Sequence, residues 1–218
     1  MRVLVLDESP LFRRQLIVAL ERHPDIEVIG EAAEADTGLG RTAELVPDVA
    51  VLTMRLPPMG GRRAAVSLRE VAPGIEVLIV VGPDDDPELA RLARAGVTGF
   101  VPWEAATARC AVAVEELVRG RPVLTPRAAA AVLAEYERLG RHAGSIQDDL
   151  SPPVLEGRER QVLERLADGS SLIGASEDLA GGAPTAANLV RNALLRLQRH
   201  ARAEAILHTA PAPSTGGG

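Results

Sequence analysis

Short apolar runs recur along the first 120 residues, each followed by a turn and then by a longer stretch whose apolar positions return every three or four residues. The runs are VLVL at 3–6, IEVIG at 26–30, VAVL at 49–52, VLIVV at 77–81 and TGFV at 98–101. They alternate too little with polar residues to be strands with one wet face, so they predict strands of a parallel sheet covered on both sides. The covering helices are PLFRRQLIVALERH, ADTGLGRTAELV, GRRAAVSLREV, PELARLARAG and EAATARCAVAVEELVRG. Pro10 after Ser9 and Pro87 after Asp86 stand where helices begin, because the first helical turn does not use the N–H that proline lacks. Five βα units predict an α/β domain over residues 1–120, a doubly wound five-stranded parallel sheet.

The pattern then changes. Residues 121–154 read as a linker with an extended stub at 121–125, a helix over 126–143 that starts at Pro126, and a Gly, Ser, Asp and Pro-rich flexible joint, GSIQDDLSPP, at 144–153. Residues 155–208 predict a small all-α domain. Leu155, Val162, Leu163 and Leu166 form one apolar stripe, and a short segment follows near 171–180. In a longer helix Val190, Ala193, Leu194 and Leu197 then fall at i, i+3, i+4 and i+7. The last ten residues, 209–218, cannot bury anything and are expected to be disordered.

Composition narrows the chemistry. The 218 residues suit one large domain or two small ones. Hydrophobic residues make up 46% of the chain but aromatics only 2%, so the cores must be aliphatic, and stacking platforms for bases or sugars are excluded. All 24 basic residues are Arg, which closes any mechanism that needs a lysine ammonium. The formal charge of −6 resides in residues 1–120, with 13 Arg against 19 acids, whereas residues 155–218 hold seven of each. Beyond Pro184 the excess is locally basic, Arg191, Arg196, Arg199 and Arg202 against Glu204 alone. One Cys and four scattered His form neither a disulfide framework nor a zinc cluster, and Cys110 lies in an apolar helical run as packing. MRVLVLDES turns acidic too soon for a signal peptide, and no run approaches the roughly 18 apolar residues of a membrane span, so a cytoplasmic location is expected.

Open α/β sheets place their sites at the carboxyl ends of the strands. Asp7 and Glu8 end the first strand as adjacent carboxylates, which either cap the next helix or hold a hard cation if a third oxygen arrives. The third strand ends at Thr53, the fourth at Val81, and the fifth passes through Pro102 to Trp103. Two acids without a nucleophile or counter-charge cannot run a reaction, so no enzyme is expected.

LVLDESPLFRRQLIVALE, EVIGEAAEA, LVPDVAVLTMRLPPMGG, ARLARAGVTGFV and GRERQVLERLADG together resemble the NarL/FixJ response regulators, which join a receiver domain to a LuxR-type helix-turn-helix domain. The likeness extends over nearly the whole chain apart from its tail. It implies a two-domain switch in which an aspartyl phosphate alters dimerisation and promoter binding. The Mg²⁺-holding acidic pair falls on Asp7 and Glu8, but the phosphoacceptor falls on Thr53, the phosphate-sensing hydroxyl on Val81 and the lysine on Trp103. A threonine hydroxyl is a weak nucleophile without an adjacent base. The resemblance therefore implies an atypical receiver that works without phosphorylation. Mg²⁺ could sit at the vestigial Asp7 and Glu8 pair but is not expected to be required, and no other cofactor is expected. Arg55 is expected to point outward, and Trp103 to fill the volume left by the lost phosphate chemistry.

In the second domain the resemblance makes Glu159 a tie between helices, Ser171 the cap of a scaffold helix, and the segment from Thr185 a recognition helix. Thr185, Asn188, Arg191, Arg196 and Arg199 are the expected DNA-binding residues. Ala187 stands where a long polar reader is expected, on the outward face. The expected partners are double-stranded DNA and a second copy of the chain. Ala105, Ala108, Val112 and Glu115 would form the dimer face, with Cys110, Val114 and Leu117 turned to the sheet. Two other readings stand beside this one. One is a regulator acting by protein contact or as a heterodimer with another response regulator. The other is a receiver that senses a small molecule, with Val81 and Trp103 lining the pocket.

Overall fold

All five apolar runs become strands: β1 (Arg2–Leu6), β2 (Glu27–Ala32), β3 (Val49–Thr53), β4 (Glu76–Val81) and β5 (Gly99–Pro102). They form one parallel sheet in the order β2-β1-β3-β4-β5. The computed structural model describes residues 1–142, 151–177 and 179–209. Every residue of β3 is buried, as a strand covered on both faces must be.

The covering helices are α1 (Pro10–Glu21), α2 (Ala35–Leu45), α3 (Gly61–Val71), α4 (Asp86–Arg94) and α5 (Ala106–Val118). The Ser9 hydroxyl accepts from the Phe12 N–H and starts α1, with Pro10 in its first turn. On one face, Phe12, Leu16 and Leu20 of α1 and Cys110, Val114 and Leu117 of α5 cover Val3, Val5 and Val51. On the other, Ala64 and Leu68 of α3 and Leu89 and Leu92 of α4 cover Leu52, Val77 and Ile79. Ala108 and Val112 are left exposed on α5, with Ala105 and Glu115 half-buried. Complete burial pushes the Cys110 thiol up to about 12.

The 121–125 segment extends the sheet, with Val123 bridging Gly99 and exchanging backbone hydrogen bonds with Thr98 and Phe100. The helix expected in the linker, α6 (Pro126–His142), is a packed layer. Its Ala128 joins the core of the sheet domain, while Ala129, Val132, Tyr136 and Leu139 join the C-terminal core together with Ala93 of α4. Most of the expected joint, residues 144–150, lies outside the described residues, as does nearly all of the expected tail, residues 210–218.

Beyond the joint come α7 (Gly157–Ala167) and α8 (Gly182–Thr209). The expected stripes hold: Val162, Leu163, Val190, Ala193, Leu194 and Leu197 are all buried in one core. Among the described residues of the expected scaffold helix no α-helix forms. Residues 174–176 make a single 3-10 turn, with the Ser171 hydroxyl accepting from the Gly174 N–H at 3.1 Å. Gly181 and Gly182, at φ 96° and 60°, then reverse the chain through conformations that a side chain would strain, and α8 begins directly. No Gly or Pro follows Pro184 before Thr209, so α8 runs 28 residues without a break.

Candidate functional site

The order β2-β1-β3-β4-β5 reverses its winding direction between β1 and β3, the place where doubly wound sheets open a crevice. Asp7 follows β1 and Thr53 ends β3, each only 2% exposed. The Thr53 hydroxyl donates to Oδ2 of Asp7 at 2.5 Å, and the Ser9 N–H donates to Oδ1 at 2.8 Å. The Arg13 guanidinium donates to the Asp7 backbone carbonyl at 2.7 Å and pairs with Glu31. Burial pushes the Asp7 carboxyl above its ordinary range, and the bonds from Thr53 and Ser9 only partly oppose it. Gly61 lets α3 pass close beneath this corner, since a Cβ there would lie 2.3 Å from the Thr53 carbonyl oxygen.

Above the pair is a cavity of about 370 Å³ whose walls include Asp7, Glu8, Thr53, Arg55, Asp84 and Trp103. Arg55 is exposed, yet it borders the cavity rather than leaving it. Val81 does not line it. That side chain is 3% exposed and packs in the core with Ile79 and Leu89, while its neighbour Val80 faces the cavity, as strand alternation requires. Nor does Trp103 fill the space. Its indole stacks on Phe12, centroids 3.7 Å apart and planes at 17°, and the residue stays 44% exposed at the rim.

The residues fit Mg²⁺ poorly. Both Asp7 oxygens are already engaged, a hydroxyl stands where β3 would supply a carboxylate, and the described residues contain no group of three metal-ligating side chains. The Thr53 hydroxyl has Asp7 as its side-chain acceptor and the Arg55 carbonyl, at 3.4 Å, as a second, weaker one.

The candidate nucleic-acid face divides differently from the expectation. Asn188, Arg191 and Arg199 are exposed on α8. Arg191 nevertheless donates to the Gly120 carbonyl at 3.2 Å, which ties α8 to the end of α5. Arg196 does not project outward: it pairs with Glu159, which is 1% exposed and also accepts from the Glu156 N–H. The Thr185 hydroxyl is used locally, donating to the Ala180 carbonyl at 3.2 Å. Ala187 is buried at 2% exposure rather than outward, because α8 packs a wider apolar face than one stripe.

Two features had a weaker signal in the sequence. The Tyr136 hydroxyl donates to the Ala193 carbonyl at 2.6 Å, joining α6 to α8. Glu135 pairs with Arg94 of α4 and Arg138 of α6, and Arg94 also pairs with Glu204 of α8. Burial acts to raise the Glu135 carboxyl, but the bonds from Arg138 and Arg94 prevail and hold it below its usual range. The one tyrosine of the chain, on the apolar face of a helix, was the only hint of the first.

Comparison with known proteins agrees with this architecture. A family model described as the response regulator receiver domain matches residues 3–115. The probable transcriptional regulatory protein NarL of Mycobacterium tuberculosis is 32% identical over 173 residues, 78% of this chain and 76% of the relative. The DNA-binding transcriptional activator DevR/DosR of the same organism is 30% identical over 204 residues, covering 94% and 91%. The solved receiver domain of that NarL superposes with a TM-score of 0.52 at 30% identity, over 55% of this chain and 97% of that one. An RcsB response regulator of Salmonella typhimurium, at 16% identity, shares the fold over 90% of this chain and 92% of its own, with a TM-score of 0.57.

Proposed function

The chain belongs to the response regulator receiver family, and on that premise we propose that it is a DNA-binding transcriptional regulator whose receiver acts without phosphoryl transfer. The observation that carries the second half is the Thr53–Asp7 bond. The side chain that ends β3 is a buried hydroxyl already donating to its neighbour, beside a cavity with Glu8, Asp84 and Asp85 and a single cation in Arg55. A phosphoryl group would add charge near −2 to that surface with little to offset it.

DNA binding is supported by relatives named as transcriptional regulators over most of the chain and by the composition of α8. From Asn188 onward, the exposed positions of that helix include Arg191, Arg199 and Arg202 and no acid among the described side chains. Arginines in a row along one helix suit phosphate contacts, which add salt-dependent affinity, while Asn188 can pair with adenine. The assembly is a homodimer through the exposed face of α5, with Ala108 and Val112 at its centre, as suits reading of paired half-sites.

A second reading has its own support. Residues 174–176 of the scaffold segment form a 3-10 turn and Arg191 is held by Gly120, which favours regulation by contact with another response regulator. Selection of bound DNA from a random duplex pool by the purified chain, run beside a pull-down from its own cells, separates the two. An enriched half-site motif supports the first. Recovery of a partner regulator with no enriched DNA replaces it with the second.

A further inference from the structure

We propose that the cavity at the carboxyl ends of β1, β3 and β4 binds a small organic cation, an ammonium or guanidinium group on an apolar body. The inference rests on the reading of this receiver as one that takes no phosphoryl group.

The volume of about 370 Å³ is that of a small-ligand site. Its walls are of two kinds. Trp103, Met54, Val80 and Pro83 are apolar, whereas Asp7, Glu8, Asp84 and Asp85 are carboxylates. Asp85 is committed to the Gly82 N–H at 2.7 Å and Asp7 to Thr53 and Ser9. Glu8 and Asp84 form no hydrogen bond or ion pair with any described residue, so their charge is available to whatever enters. Carboxylates alone would be a solvated rim. Here they share a concave volume with an indole that Phe12 holds flat from one side. The negative face of an aromatic ring attracts a cation and does not attract an anion.

Three ligand classes are distinguished by these walls. An anion would meet four carboxylates and one guanidinium, Arg55. A small hydrated dication needs a convergent set of oxygens, and no group of three metal-ligating side chains occurs among the described residues. An organic cation uses both the carboxylates and the indole. Its occupancy would also reach the C-terminal helices, because the β4–α4 segment that carries Asp84 leads into α4, whose Arg94 is paired with Glu135 of α6 and Glu204 of α8.

Trp103 is the only tryptophan, so its fluorescence reports directly on the site. The full chain is titrated at constant ionic strength with agmatine and with phenethylamine, and separately with MgCl₂ and with acetyl phosphate. The expected result is a saturable change with at least one of the two amines, weakened about tenfold or more in the E8Q/D84N double variant. Both substituted side chains are exposed, and the variant's unchanged melting temperature serves as the folding control. The proposal is overturned if neither amine gives saturable binding up to roughly 10 mM, if E8Q/D84N binds as the parent does, or if MgCl₂ alone reproduces the change. A covalent phosphoryl adduct in the acetyl phosphate arm, read by intact mass, would instead overturn the phosphate-independent reading. Failure of the amines without an adduct leaves that reading standing.

Discussion

Thr53 and Asp7, 46 residues apart in sequence, are joined by a 2.5 Å hydrogen bond in which the threonine hydroxyl donates to the carboxylate. The bond joins the ends of β1 and β3 at the floor of the cavity through a neutral donor. It satisfies a buried acid internally, and β3 ends in a hydroxyl rather than a carboxylate.

Acetyl phosphate should therefore leave the intact mass and the oligomeric state unchanged. Mass spectrometry and light scattering before and after incubation check this, and a stable single adduct with altered assembly is the contrary result.

Asp7 also sets a pH dependence. Its carboxyl is raised in the folded chain by burial, so its contribution to stability is fully present below the unfolded value and is lost as pH rises through the folded one. At neutral pH the ionised group is thus a net cost. Asp7→Asn keeps an oxygen for the Ser9 N–H and lets the new amide donate to Thr53. The variant should be more stable than the parent at pH 7, with the difference vanishing on acidification through the carboxylate range, as read from urea midpoints along a pH series.

Arg196→Ala should destabilise the C-terminal core by about 3–5 kcal/mol, because it strands Glu159 as an uncompensated buried charge. Arg196→Ala combined with Glu159→Leu should recover much of that loss in chemical denaturation. An Arg196→Ala variant as stable as the parent would return this arginine to the surface.

Replacing Arg199 with Ala should weaken binding to all duplexes alike and reduce the slope of log affinity against log salt by about one phosphate contact. Replacing Asn188 should instead cost about 1–3 kcal/mol on a selected site and relax preference there. Fluorescence anisotropy at several salt concentrations distinguishes the two, and equal effects on selected and random duplexes would remove Asn188 from base reading.

Tyr136→Phe should cost about 1–3 kcal/mol, because the buried hydroxyl donates to the Ala193 carbonyl and also faces the Arg196 guanidinium, with no change in ligand or DNA preference. Thermal unfolding of the full chain measures it.

The sequence by itself determined the five strands, the helices that cover them and the apolar stripes of the C-terminal core. Each rests on local periodicity and on punctuation by Ser9–Pro10, Asp86–Pro87 and Pro126, which act over a few residues. It also placed Asp7, Glu8, Thr53 and Trp103 at one end of the sheet, because parallel strands bring their carboxyl ends together. Only the tertiary structure decided what those residues do to one another. Trp103 found a stacking partner in Phe12 rather than a void, and strand alternation sent Val81 to the core and Val80 to the cavity. In α8 the helical period identified Val190 and Leu194 as inward, but it could not say that Arg196 would be drawn to Glu159 or Arg191 to Gly120. A long arginine can reach either solvent or a buried acid from nearly the same helical position. Its partner is fixed by elements tens of residues away, so the choice belongs to packing and not to local sequence.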